Sequence, residues 1–464
     1  MSSALASVPS IARDFFVFSH SVADERDRIF VKVLSRHKVR NSLKLSVLDG
    51  VSVSAMLGLT MNYITPFALA LKATTAQVGL LASVPSLTMA LSQLAAPNLS
   101  ERAGSRMKLI LPMVLMQALM WGPILLIPYL FPAAGVFWLI AFVTLSAVFG
   151  ALTSPGWGSM MADLVPIEMR GRYFSFRGRI MGLITLVFSL IAGVILQFYT
   201  NNVFIGFTII FGGALLFRLL SLYFLSGMYE PPVSNNTENN QSLFYIFKHL
   251  ASSNLGRFTL YVALINFATV IAGPFFGVYM LRDLNFSYTT YVMITSSHAV
   301  ANLAFQTFWG RRADRAGNIM VIRFVSCLLP FIPLLWLVSY NRFYLMGAEI
   351  FSGMTWAGFN LAASNFVYDA SDKENRTKQI ALFNSINGVA VCLGALVGGY
   401  LAPHLPALLG FNIRSLFLIS GLMRGLVVLI FLRIIVEVRH VPKMNIIQFL
   451  LGRPVLNEAV TTKK

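Results

Sequence analysis

Twelve apolar runs leave this chain few ways to fold. They occupy residues 43–70, 77–96, 108–130, 134–158, 174–199 and 203–228, then 256–281, 287–309, 319–340, 343–368, 377–402 and 411–436. Each is close to the ~20 residues that a helix needs to cross hydrocarbon. A backbone in lipid must satisfy its own hydrogen bonds, so each run is predicted to be a transmembrane helix. Only 12% of the residues are charged and 56% are hydrophobic. A soluble domain carries about 25% charged residues, so lipid must be the solvent for most of this surface.

The runs fall into two sets of six. Residues 43–228 form one predicted bundle and 256–436 a second, with 229–255 as a linker. The linker opens Glu230-Pro231-Pro232 and continues through Ser234, Asn235, Asn236, Thr237 and Glu238. Such a segment cannot bury enough apolar area to offset its ordering entropy. Residues 243–250 are expected to form a short interfacial helix, and 1–42 a polar arm with a helix lying on the membrane. No signal peptide is expected in that arm, and residues 437–464 read as a polar tail.

Basic residues set the orientation. With the N-terminus placed in the cytoplasm, inner segments hold 30 Lys and Arg, whereas outer loops hold Lys72, Arg282, Arg342 and Arg414. That split is a strong positive-inside signal. It predicts a multi-pass protein of the inner (plasma) membrane with both termini cytoplasmic. The net charge of +18 is then a topology device that favours anionic lipid headgroups, and nucleic-acid binding is not needed to explain it.

A charged turn recurs. Residues 97–109 contain Glu101-Arg102-Ala103-Gly104 and residues 310–322 contain Asp314-Arg315-Ala316-Gly317, at an offset of 213. Asp163 with Arg170, Asp369 with Arg376, and the in-span pair Arg218 and Arg424 repeat at an offset of 206. Charged positions that recur in apolar sequence indicate a duplicated unit, with the halves as parallel repeats. Gly104 and Gly317 supply the positive φ that a tight turn between antiparallel helices favours.

These turns, with the run Arg170-Gly171-Arg172, resemble the major facilitator superfamily of secondary transporters. The resemblance covers about residues 43–436. It implies an all-α membrane protein of twelve helices in two pseudo-symmetric six-helix bundles, moving a small solute by alternating access. It also implies gating turns in which Glu101, Arg102, Gly104, Arg106, Asp314, Arg315 and Gly317 take part. There the acid meets the start of a helix in the opposite half and locks the cytoplasmic side. Asp163 with Arg170 and Asp369 with Arg376 are expected to form ion pairs that switch between gate states. Three departures predict a less symmetric gate: Pro97 stands where the family has Gly, Glu101 replaces Asp, and Ile319 matches Arg106.

In that family spans 1, 4, 7 and 10 line the cavity. Glu349, Gly353, Trp356 and Asn360 are spaced to share one face of span 10. Asn266 and Thr269 on span 7, and Thr60 and Tyr63 on span 1, complete a predicted substrate-binding set. Such amides and hydroxyls also commonly pair with neighbouring helices. Burial in low dielectric disfavours a charged carboxyl, so Glu349 is the candidate proton carrier, with His298 second. Arg218 and Arg424 are expected to pair with a carboxylate or carbonyls of a neighbouring helix.

The partners implied are a small-molecule substrate, protons or another coupling ion, and lipid; the expected state is a monomer. No ATP-binding loop and no metal-spaced cluster occurs, so no enzyme activity and no cofactor are expected. Cys327 and Cys392 fall inside spans and imply no disulfide framework. Many drug/proton antiporters of the superfamily carry a Gly-Pro-rich helix 5, and Gly178–Gln197 contains no Pro. A non-transporting assembly or sensor protein, or an amphiphile flippase, are the alternative readings.

Overall fold

The computed structural model describes residues 36–166, 169–231, 253–371, 376–431, 434–438 and 449. Residues 1–35 of the predicted arm and 232–252 of the linker, with its interfacial helix 243–250, lie outside them. The described residues form twelve membrane-length helices: α1 (Lys38–Ala70), α2 (Thr75–Ala103), α3 (Arg106–Leu130), α4 (Gly135–Leu164), α5 (Arg170–Phe198), α6 (Val203–Ser226), α7 (Asn254–Asp283), α8 (Tyr288–Ala316), α9 (Asn318–Val338), α10 (Arg342–Ala370), α11 (Arg376–His404) and α12 (Asn412–Phe431). Ten of them are long and apolar enough to cross a membrane on composition alone. The other two, α8 and α10, are each 29 residues long and carry polar residues that α8 and α10 turn toward each other.

Proline explains how several helices bend and whom they bind. A proline lacks the N–H that would bond the carbonyl four residues earlier. Pro66 thereby frees the Asn62 carbonyl just where α1 loosens into a turn at 61–63, and Tyr291 of α8 donates to it at 2.9 Å. Pro333 frees the Leu329 carbonyl of α9, and Arg424 Nη1 of α12 donates to it at 3.1 Å. Helix α7 breaks at Gly273–Pro274 and α9 at Pro330 for the same reason.

The charged turns 103–106 and 316–318 lie at one end of the bundles, the basic end; the opposite end is the far end. Gly104 has φ 65° and Gly317 φ 86°, the backbone that each two-helix turn requires. Small residues seat α11 against its neighbours. A Cβ at Gly394 or Gly398 would overlap carbonyls of α7, and one at Gly399 would press on Gly79 of α2.

The buried core is organised unequally along the membrane normal. At the far end one apolar cluster runs through both halves, joining Tyr63, Phe67 and Phe211 to Tyr279, Tyr291 and Phe417. At the basic end there are two separate clusters. One holds Leu43, Ile110, Met160 and Tyr173 of the first half; the other holds Phe258, Trp309, Phe359 and Phe366 of the second. The halves are fused at the far end and parted at the basic end.

Candidate functional site

At the basic end, Arg106 is the hub of the first half. As the first residue of α3 it has a backbone N–H with no helical partner. Glu230, just past α6, accepts that N–H at 2.6 Å and the Ser105 hydroxyl at 2.6 Å. The Arg106 guanidinium donates to Asp163 at 2.6 Å, Ser159 at 3.0 Å and the Pro231 carbonyl at 2.8 Å. The second half repeats part of the plan. Glu437, past α12, accepts the Ile319 N–H at 2.7 Å, and Asn318 donates to Asp369 at 2.8 Å. A carboxylate suits a helix N-terminus because the orphan N–H groups and the helix dipole both favour negative charge.

These contacts correct one expectation. Asp163 pairs with Arg106 and not with Arg170, which instead bonds the Ala162 and Val165 carbonyls and so staples the end of α4. The geometric reason is local. Arg170 lies across a short loop from the α4 terminus, where free carbonyls are within reach, while Arg106 approaches Asp163 side-on from the adjacent helix α3. The side chains of Glu101, Arg102 and Arg376 lie outside the described residues. Asp314 is exposed, and no described residue bonds its carboxylate. Among the described residues the acids at helix starts are Glu230 and Glu437, each within its own half.

At mid-membrane, α8 and α10 cross closely. A Cβ on Gly353 would overlap the His298 carbonyl, so glycine sets the approach. There His298 Nδ1 lies 3.3 Å from Glu349 Oε2 and 3.2 Å from Ser352 Oγ. Glu349 is thus joined to His298, the two candidates for carrying a proton. Asn302 Nδ2 reaches the Gly353 carbonyl at 3.5 Å, and Trp309 Nε1 donates to the Met354 carbonyl at 2.8 Å.

The rest of the predicted set is only partly gathered. Asn360 is exposed, and Trp356 stands edge-on to Phe359 against the basic-end core of its half. Asn266 donates to Asn387 of α11 at 2.8 Å, and Thr269 buries a hydroxyl oxygen that has no partner. Thr60 and Tyr63 are elsewhere. Thr60 bonds the Met56 carbonyl of its own helix at 2.9 Å. Tyr63 is fully buried in the far-end core and donates to the Ser189 carbonyl of α5. Tyr63 thus ties α1 to α5.

Sequence reasoning missed Asp49. It lies near the start of α1, close to the basic arm, and so reads as part of a mixed-charge segment. In the fold it is 3% exposed. Its Oδ1 accepts from Ser221 of α6 at 2.6 Å, and Ser221 accepts from Arg218 at 3.0 Å. This is the carboxylate that Arg218 requires at membrane depth. The available signal was spacing: Arg218 and Ser221 sit on one face of α6, and such a face calls for an acid on a neighbouring helix. Among the described residues no group of His, Cys, Asp and Glu is arranged to hold a metal ion.

Comparison with known proteins adds independent information. A family model described as Major Facilitator Superfamily matches residues 50–272 and again 258–460. A curated relative, the quinolone resistance protein NorA of Staphylococcus aureus (strain MRSA252), is 23% identical over 145 residues. That match spans 31% of this chain and only 37% of the relative. Among solved structures, a bacterial homologue of the iron transporter ferroportin in an inward-facing state superposes with a TM-score of 0.67 at 14% identity, covering 84% of this chain and 98% of that one. The nucleoside transporter NupG gives 0.65 at 14%, covering 85% and 98%. The partially occluded inward-open xylose transporter XylE from E. coli gives 0.63 at 14%, covering 88% and 100%. At such identities the likeness speaks for the fold.

Proposed function

The chain belongs to the major facilitator superfamily and is a multi-pass membrane transporter, and on that premise we propose that it moves a small solute by alternating access, coupled to protons through Glu349. The observation that carries this reading is the unequal core. Two bundles that share buried side chains at one end and separate at the other form one of the two states that rocking requires. With the basic end in the cytoplasm, this state faces inward. Tyr291 bound to the Asn62 carbonyl, and Thr289 to Gln197 at 3.1 Å, close the outer side.

In this state Asp314 is free. On closure of the basic end it would dock on the opposite half, and the separate networks of Arg106 and Asn318 would approach each other. The substrate would sit against α7 and α10, between Asn266, Trp356 and Asn360, with the Glu349–His298 pair beside it. Proton binding to that pair changes the charge next to the solute. This is the physical link between a proton and the rocking motion.

The test is flux in proteoliposomes loaded with a pH-sensitive dye. Addition of a transported solute should change internal pH, and Glu349→Gln should abolish the proton signal while solute-driven exchange persists. Full proton-driven transport by Glu349→Gln would exclude the coupling role.

A further inference from the structure

Two arginines converge on one buried acid in the first half. Besides Arg218, Arg177 of α5 approaches Asp49, its Nη2 lying 3.9 Å from Asp49 Oδ2. Its Nε donates to the Ser46 carbonyl of α1 at 3.3 Å, and its Cζ lies 4.4 Å from the centre of the Trp157 ring of α4. Among the described residues Asp49 is the only carboxylate that acts on either guanidinium. The cluster therefore carries one positive charge in excess, and the Arg218–Ser221–Asp49 chain already supplies the acid's counter-charge. An uncompensated charge at this depth is costly unless it faces water, protein or an ion.

The cradle is shaped for the second guanidinium. Gly50 follows Asp49 on α1, and a Cβ there would lie 2.5 Å from Arg177 Nη2. The missing side chain makes room for both the guanidinium and Met181, and the Trp157 ring lies against the guanidinium. Arg218 Nε is buried beside it with no partner, while the Trp157 indole N–H is turned toward Asp49. The Arg177 terminal nitrogens make no hydrogen bond and are not sealed in; its side chain keeps 17% exposure. Gly182 packs on Leu303 of α8, whereas Gly178, one turn nearer the basic end on that face, meets nothing within 4 Å. The α5–α8 seam thus stops about one turn beyond Arg177.

We propose that Arg177, seated on Gly50 between Asp49 and Trp157, binds an oxyanion, and that the solute entering from the basic end carries a carboxylate or phosphate. A planar guanidinium held from behind and free in front offers paired donors to such a group. The solute assignment rests on the transporter reading; the anion site does not.

The test uses the full chain purified in neutral detergent. Thermal unfolding is followed with acetate, inorganic phosphate or phosphatidylglycerol, against chloride at equal ionic strength. Acetate or phosphate should raise the midpoint saturably. Arg177→Gln should weaken that binding by roughly tenfold or more, and Arg177→Lys, which keeps the charge without the fork, should weaken it less. Arg177→Gln leaves the Asp49–Arg218 chain neutral, so it should fold. Arg342→Gln, at the far end, should bind as the unaltered protein does. Stabilisation by phosphatidylglycerol alone, or anion binding unchanged in Arg177→Gln, would overturn the proposal. Phosphate bound through Arg177 with no solute flux would defeat the transporter reading and leave the anion site standing. Flux unaffected by Arg177→Gln would leave the transporter reading standing and overturn the assignment of the solute to this site.

Discussion

The two halves place a buried arginine at equivalent positions and compensate it differently. Arg218 has a carboxylate, Asp49, delivered through Ser221. Arg424 is 1% exposed and has a carbonyl, that of Leu329, released by Pro333. The same contrast recurs at the basic end, where Arg106 bonds Asp163 while Asn318 bonds Asp369. At these buried places the first half uses a carboxylate, and the second a carbonyl and an amide. Duplication kept the places of the polar groups and left each half free to choose their chemistry. The second half in turn holds the Glu349–His298 pair at mid-membrane.

The largest effect should come from removing the acid of the charged half. Asp49→Asn leaves Arg218 and Arg177 with no carboxylate, and breaking a buried pair costs about 3–5 kcal/mol. Thermal unfolding in detergent should show a marked fall, partly restored by adding Arg218→Leu; an unchanged midpoint would mean that Asp49 is not the compensating charge. Next, Arg106→Ile copies the residue at the matching place in the second half. It removes a buried, multiply bonded guanidinium and should lower stability by roughly 1–3 kcal/mol, read as a fall in the thermal unfolding midpoint.

The dipole solution can be broken without touching the arginine. Pro333→Ala restores an N–H that competes for the Leu329 carbonyl, so a change that normally favours a helix should here destabilise by about 1 kcal/mol. A stabilised variant would show that Arg424 does not depend on that carbonyl. The smallest effect is expected at the seam between the halves. Tyr291→Phe loses one interhelical bond, worth about 0.6 kcal/mol. It should also raise labelling of a cysteine placed at Thr289 from the far side; equal labelling would deny the bond any role in closure.

Much of the architecture was legible in the chain. The spans followed from run length, and the duplication from Arg218, Arg424 and the two glycine turns. Helices α8 and α10 were legible as spans although they are the least apolar of the twelve, because their length and flanking turns match the rest. The site was less legible. Thr60, Tyr63 and Glu349 carry the same polar signal in one dimension, yet Tyr63 seals the far end while Glu349 meets His298. Asp163 has Arg170 nearby in sequence, and its partner is Arg106 from another helix.

By itself the sequence determined that this protein lies in lipid, how many times it crosses, that it is built of two copies of one unit, and where the tight turns fall. Those are properties of single segments, because lipid offers the backbone no partners and each segment must satisfy itself. Only the tertiary structure decided which acid meets which base, which polar residues are sealed in a core, and which end of the bundles is shut. Those depend on helix rotation and on close crossings such as Gly353 over His298, and residues far apart in the chain set them jointly.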